Sequence, residues 1–136
     1  MATYFIWKDD YKLGFKEIDE QHEYFVSLLN KLYGAIMDFQ SQKNLGIILD
    51  ELAVYAVNHF ETEEKYFKDF KFAGAEEHIH EHLMLKEKVL DFKEKFTQDK
   101  TKISFELIDF LESWLVDHLD NMDKKYIECF RENGLK

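Results

Sequence analysis

The stretch EEHIHEH, residues 76–82, places three histidines in five positions of a chain that has only three others. An α-helix turns about 100° per residue, so it would set His78 and His82 within about 40° of each other and send His80 the opposite way. His59 and Glu63 have the same one-turn spacing. Imidazole nitrogens and carboxylate oxygens on one helix face can reach a common ion, and metal ligation is the chemistry this spacing offers. Either pair alone is a weak signal, so the elements that carry them decide its weight.

Four segments show helical periodicity. In residues 18–39, Ile18, His22, Phe25, Leu29, Leu32 and Ile36 recur at spacings of three and four, with Asp19 expected to cap the start. Residues 44–70 follow the turn-prone SQKN and carry Leu45, Ile48, Leu52, Ala56, His59, Glu63 and Phe67 on one stripe. Residues 75–97 align Ala75, His78, His82, Leu85, Val89, Phe92 and Phe96, with Glu76 and Glu77 in the first turn, where the helix dipole favours negative charge. Residues 103–131 carry Ile103, Leu107, Leu111, Leu115, His118 and Met122. Short breaks between helices of similar length predict an all-α fold, an up-down-up-down antiparallel four-helix bundle in one domain over 1–136. Residues 1–17, aromatic-rich and irregular, are expected to form an N-terminal arm packed across it, with Trp7 and Trp114 serving as packing residues.

Composition agrees. Proline is absent and glycine numbers five, which removes the punctuation of β folds, while 46% hydrophobic residues suffice for one sizeable core. A charge of −10 with no basic stripe argues against nucleic acid and anionic membrane surfaces as partners. No apolar run approaches the roughly 20 residues that cross a bilayer, so membrane insertion is not expected. A single cysteine excludes an internal disulfide, and the first residues lack the pattern of a signal peptide, so a cytoplasmic location is expected. Cys129 has no histidine beside it in sequence to activate it and is assigned no role.

Each helix thus puts polar donors on its apolar stripe: His22 on the first, His59 and Glu63 on the second, His78 and His82 on the third, and His118 followed by Asp123 on the fourth. Buried imidazoles and carboxylates without partners cost several kcal/mol each, so the seven groups must satisfy one another or bind something. His80 falls outside the set and is expected on the surface. A single octahedral ion takes about six ligands, so seven protein groups suggest two ions sharing carboxylates. If Glu63 and Asp123 both bridge and an oxide or hydroxide joins them, about eleven of twelve octahedral positions are filled, and the open one belongs to the ion with fewer histidines. The five-residue step from His118 to Asp123 is about 140° of ideal rotation, so it requires either a π-bulge or an approach from a different side.

The chain resembles the hemerythrin family, specifically its single-domain bacterial members. The residues that carry the resemblance are DEQH around His22, HFETEE from His59 to Glu64, HIHEH as the H-x-x-x-H element and WLVDHLDNMD as the W-L-x-x-H element ending in Asp123, together with Trp7 and the GF at 14 and 15. The resemblance implies a bundle holding two irons joined by a bridging oxide or hydroxide. His78, His82 and His118 would complete one iron and His22 and His59 the other, with Glu63 and Asp123 bridging. Dioxygen would bind reversibly at the iron of His22 and His59, in a pocket lined by Leu115, with Trp114 and Leu119 nearby. Oxygen storage, buffering or delivery is the function expected, with no enzymatic activity. An enzyme acting on peroxide or nitric oxide is the alternative, as is an oxygen or iron sensor working through a separate protein. The apolar Leu111, Trp114, Leu115 and Leu119 around His118 favour binding over chemistry, because cleaving an O–O bond needs a proton donor.

Overall fold

The computed structural model describes residues 9–100 and 102–136, so Trp7 lies outside the described residues. The chain is an all-helical four-helix bundle. After a short 3-10 turn at Asp9–Tyr11 come α1 (Lys16–Met37), α2 (Gln42–Asp69), α3 (Ala75–Thr97) and α4 (Phe105–Asp117). The fourth helix then changes its winding. A π turn covers His118–Met122 and a 3-10 turn Asp123–Tyr126, before α5 (Ile127–Glu132) closes the chain. Helix α1 packs on α2, α2 on α3, and α4 returns to α1.

Helices α1, α2 and α3 stop in the same way. Phe39, Lys71 and Asp99 take left-handed backbone with φ near 56°, 53° and 58°. In each case the next N–H reaches back five residues, from Gln40 to Ala35, Phe72 to Phe67 and Lys100 to Lys95, at 2.8–3.0 Å. These are Schellman closures, which satisfy carbonyls that a helix end would otherwise leave unpaired. At the start of α2, Ser41 Oγ accepts the Asn44 N–H at 3.2 Å.

Asp19 does not cap α1 as the sequence suggested. The helix starts earlier, at Lys16, and Phe15 precedes it without a side-chain cap. Asp19 sits in the first turn and accepts the N–H groups of Leu13 at 2.8 Å and Gly14 at 3.1 Å. It thereby ties down the chain ahead of the helix, where Gly14 has φ 93° and Tyr11, Leu13 and Phe15 are buried.

Two apolar clusters fill the bundle. The larger is chiefly aliphatic, with Leu29, Leu32, Leu49, Leu52, Ile108 and Leu111 at its centre. The smaller is chiefly aromatic and gathers Leu13, Phe15, Ile18, Phe67, Tyr126 and Phe130. Along α1 and α2 the order is the same: Ile18, His22, Phe25 on one and Phe67, Glu63, Phe60 on the other pass from the smaller cluster, through a buried polar residue, to the larger.

Candidate metal centre

That layer between the clusters contains all seven donors inferred from the sequence. His22, His59, Glu63, His78, His82, His118 and Asp123 are each buried, whereas His80 is exposed. Helical phase accounts for both outcomes, since residues four apart share a face and a residue between them does not.

The donors form two groups that could each hold an ion: Glu63 with His78, His82 and His118, and His22, His59 and Glu63 with Asp123. In the first group, His118 Nε2 lies 3.1 Å from both His78 Nε2 and His82 Nε2. Asp123 Oδ1 is 2.9 Å from His78 Nε2 and 3.0 Å from His118 Nε2. In the second group, His22 Nε2 is 3.1 Å from Asp123 Oδ2, and His59 Nε2 is 3.1 Å from Glu63 Oε1. Asp123 therefore gives a separate oxygen to each group. Glu63 directs Oε1 to both, being 3.3 Å from His82 Nε2 as well, while its Oε2 accepts the Tyr126 hydroxyl at 2.5 Å.

These spacings fit metal ligation. Adjacent donors on an octahedral ion with bonds of about 2.1 Å stand about 3.0 Å apart, against about 3.4 Å on a tetrahedral one. Nitrogens packed at 3.1 Å match the octahedral edge. Both nitrogens of His22, His59 Nε2, Glu63 Oε1 and both oxygens of Asp123 are buried without a hydrogen-bond partner. Leaving so many buried polar atoms unsatisfied would be costly, and cations between the imidazole Nε2 atoms and the carboxylate oxygens would remove much of that cost.

Electrostatics points the same way. Burial and Asp123 push Glu63 upward, but the His59 and His82 imidazoles more than reverse this and hold it below the usual carboxylate range. Asp123 is likewise opposed by burial and held well below its usual value by His118, His22 and His78. Both carboxylates are thus ionised in a space closed to water. Burial opposes charge on His22 and His82, yet Asp123 beside the first and Glu63 with Glu64 beside the second outweigh it and raise both. For His59 burial prevails over Glu63 and lowers it.

The π turn settles the spacing problem in the fourth helix. The Asp123 N–H bonds to the His118 carbonyl five residues back, and the wider turn carries Asp123 round to the same interior as His118. Such a bulge can be inferred only as one option from spacing, because nothing in HLDNM specifies it.

Around the donors the walls are mainly apolar and aromatic. Leu115 and Leu119 are buried, and partly buried Trp114 stacks on His118 at 4.4 Å with the rings 15° from parallel. Phe60 stacks on His82 at 3.9 Å and also lines an apolar cavity of about 110 Å³ with Phe25, Leu52, Ala56, Leu85 and Leu111.

Four residues beside the donors were assigned no role from sequence. Gln21 Oε1 lies 2.6 Å from His59 Nδ1, and Gln21 Nε2 donates to Thr62 Oγ1 at 3.3 Å. Glu64 Oε2 lies 2.9 Å from His82 Nδ1. Phe60 and Tyr126 complete the set. Tyr126 had a readable signal: it continues the stripe four residues after Met122, and a buried phenol needs a partner. Gln21 and Glu64 lie within the quoted DEQH and HFETEE, but periodicity gives them no inward role, because each reaches the site from the flank of its helix.

The family model described as the hemerythrin HHE cation binding domain matches residues 13–130. The chain is 33% identical over 128 residues to a bacteriohemerythrin of Clostridium acetobutylicum, covering 91% of this chain and 99% of that one. It is 29% identical over 133 residues to a bacteriohemerythrin of Pseudomonas aeruginosa, covering 96% and 84%. A crystal structure of wild-type hemerythrin superposes with a TM-score of 0.88 at 27% identity, covering 93% of this chain and 97% of the other.

Proposed function

The chain belongs to the hemerythrin family, and on that premise we propose that it binds dioxygen reversibly at a non-haem di-iron centre. The ligands are His78, His82 and His118 for one iron and His22 and His59 for the other, with Glu63 and Asp123 shared. The observation that carries this reading is the pair of buried donor groups that have Glu63 in common, with octahedral-edge spacing among the nitrogens of His78, His82 and His118. Two irons there supply the two electrons that dioxygen takes up and returns.

The chain's own residues do the rest. Five neutral imidazoles and two carboxylates keep the ligand set less negative than a carboxylate-rich one, which disfavours highly oxidised iron and hence O–O cleavage. Leu115, Trp114 and Leu119 exclude water from the space beside His118, and the cavity behind Phe60 is too apolar to hold water well. The Tyr126 hydroxyl is engaged by Glu63 and is not free as a general acid. A carrier is therefore favoured over an enzyme, with oxygen storage, buffering or delivery in the cytoplasm as its role. No helix among the described residues is long and apolar enough to cross a membrane.

Metal analysis and optical spectra test the proposal together. The expected result is two irons per chain and a visible charge-transfer band that appears with oxygen and disappears when oxygen is removed, over repeated cycles. One iron per folded chain, or irreversible oxidation with turnover of peroxide or nitric oxide, would overturn it.

A further inference from the structure

The two halves of the site share Glu63 and Asp123 but are backed differently. Behind His82, Nδ1–H donates to the Glu64 carboxylate at 2.9 Å. Behind His59, Nδ1 meets the neutral Gln21 amide oxygen at 2.6 Å. The shared Glu63 is itself contacted from outside, because the Tyr126 hydroxyl donates to its Oε2 at 2.5 Å. Glu64 is half-buried at the solvent edge of α2, whereas Tyr126 is fully enclosed. Phe130 stacks on the Tyr126 ring at 4.2 Å and 13°, and Phe67 and Phe15 close on it, so the hydroxyl is held against Glu63.

These contacts act in opposite senses. A carboxylate behind an imidazole N–H draws the proton outward and makes the other nitrogen a stronger donor, which stabilises the more highly charged metal. A hydroxyl donating to a ligand carboxylate withdraws negative charge from it, which stabilises the less highly charged metal. On the di-metal reading given above, we propose that Glu64 and Tyr126 are positioning residues that bias the redox balance of the metal pair in opposite directions, Glu64 towards the oxidised pair and Tyr126 towards the reduced one. Gln21 exerts no comparable push, so the half-site of His78, His82 and His118 is the better stabilised as oxidised metal.

Two near-isosteric substitutions separate this from packing. Glu64→Gln keeps size and an acceptor but removes charge, and Tyr126→Phe keeps the stacked ring but removes the hydroxyl. In anaerobic redox titration of the iron-loaded protein, Glu64→Gln should move the midpoint up, Tyr126→Phe should move it down, and the double variant should lie between them. Shifts in one direction, or none, in samples with unchanged iron content and helicity would overturn the proposal. A second measurement needs no iron. Titrating the metal-stripped protein with zinc, Glu64→Gln should weaken binding roughly tenfold or more, as loss of an outer carboxylate does elsewhere, whereas Tyr126→Phe should not weaken it. Equal loss from both would assign both residues to packing alone. If the parent protein fails to hold two irons or to release oxygen, the carrier reading falls while the zinc result still decides whether Glu64 supports the bound metal and the Tyr126 hydroxyl does not.

Discussion

The interior on one side of the donor layer is built chiefly from leucine and isoleucine, and on the other side chiefly from rings. The aliphatic cluster needs chiefly the right residue type every three or four positions on four regular helices, and it meets the polar layer by packing, as where Phe60 stacks on His82. The aromatic cluster depends on a tied-down arm, a π turn and a phenol whose hydroxyl bonds a donor carboxylate. One region supplies stability in bulk, and the other couples stability to the geometry of the site.

The largest effect should come from the layer itself. His82→Ala should abolish or cripple metal binding, because His82 faces Glu63 and sits 3.1 Å from His118. His80→Ala should leave metal content unchanged, its side chain being exposed. Metal analysis of the two purified variants checks the contrast, and similar losses from both would break the division between layer and surface.

Next come the clusters. Leu52→Ala in the aliphatic region should cost about 2–5 kcal/mol and Phe130→Ala in the aromatic region about 3–5 kcal/mol. Denaturant unfolding should therefore rank them close together. Metal affinity should not, because Phe130 packs on Phe67 and Tyr126, the two rings that pack on the His78 imidazole, whereas Leu52 belongs to the aliphatic cluster. Titrating folded samples with metal should show weakening for Phe130→Ala alone.

Leu115 tests the border. It belongs to the aliphatic cluster yet lies three residues before His118, so it covers the region that ligand faces. Leu115→Ala should cost about 2–5 kcal/mol and, in samples that remain folded and metal-loaded, should speed autoxidation by admitting water and anions. An unchanged autoxidation rate would leave it as aliphatic packing only.

The same contrast explains what was legible beforehand. Periodicity located the aliphatic stripes and six of the seven donors, since each of the six lies in phase with apolar neighbours such as Phe25, Leu85 and Leu115. It misread Asp19, whose capping-type residue serves the arm instead of the helix end. It left Asp123 undecided, because a π turn is a departure from the very period being used. Glu64 closes the HFETEE motif, but helical phase gives it no place on the inward stripe, and its contact with His82 follows from the packing of α3 against α2.

The smallest effect expected is a pH dependence that separates the layer from both clusters, since neither cluster titrates near neutrality. Consider the metal-free protein. Glu63 and Asp123 are held below their ordinary values of 4.5 and 3.8, so the stability they add is present above those values and fades as the pH falls towards their folded ones. His22 and His82 are raised above 6.5, so their contribution is complete below that value and is lost as the pH rises through their folded ones. His59, lowered by burial, works in the opposite sense: its contribution grows as the pH rises towards 6.5 and is constant above, so it tilts the acid side of the curve and leaves the alkaline decline unchanged. The metal-free chain should therefore be most stable between about pH 4.5 and 6.5, with a shallow decline above. Metal should reverse that decline, because ligating imidazoles must be neutral and protons compete with the ion. Thermal unfolding across pH 4–9, with and without metal, checks the two slopes. If the metal-free and metal-loaded curves ran parallel above pH 6.5, the titrating groups would not be the ligands, and the layer would lose its distinction from the apolar regions on either side.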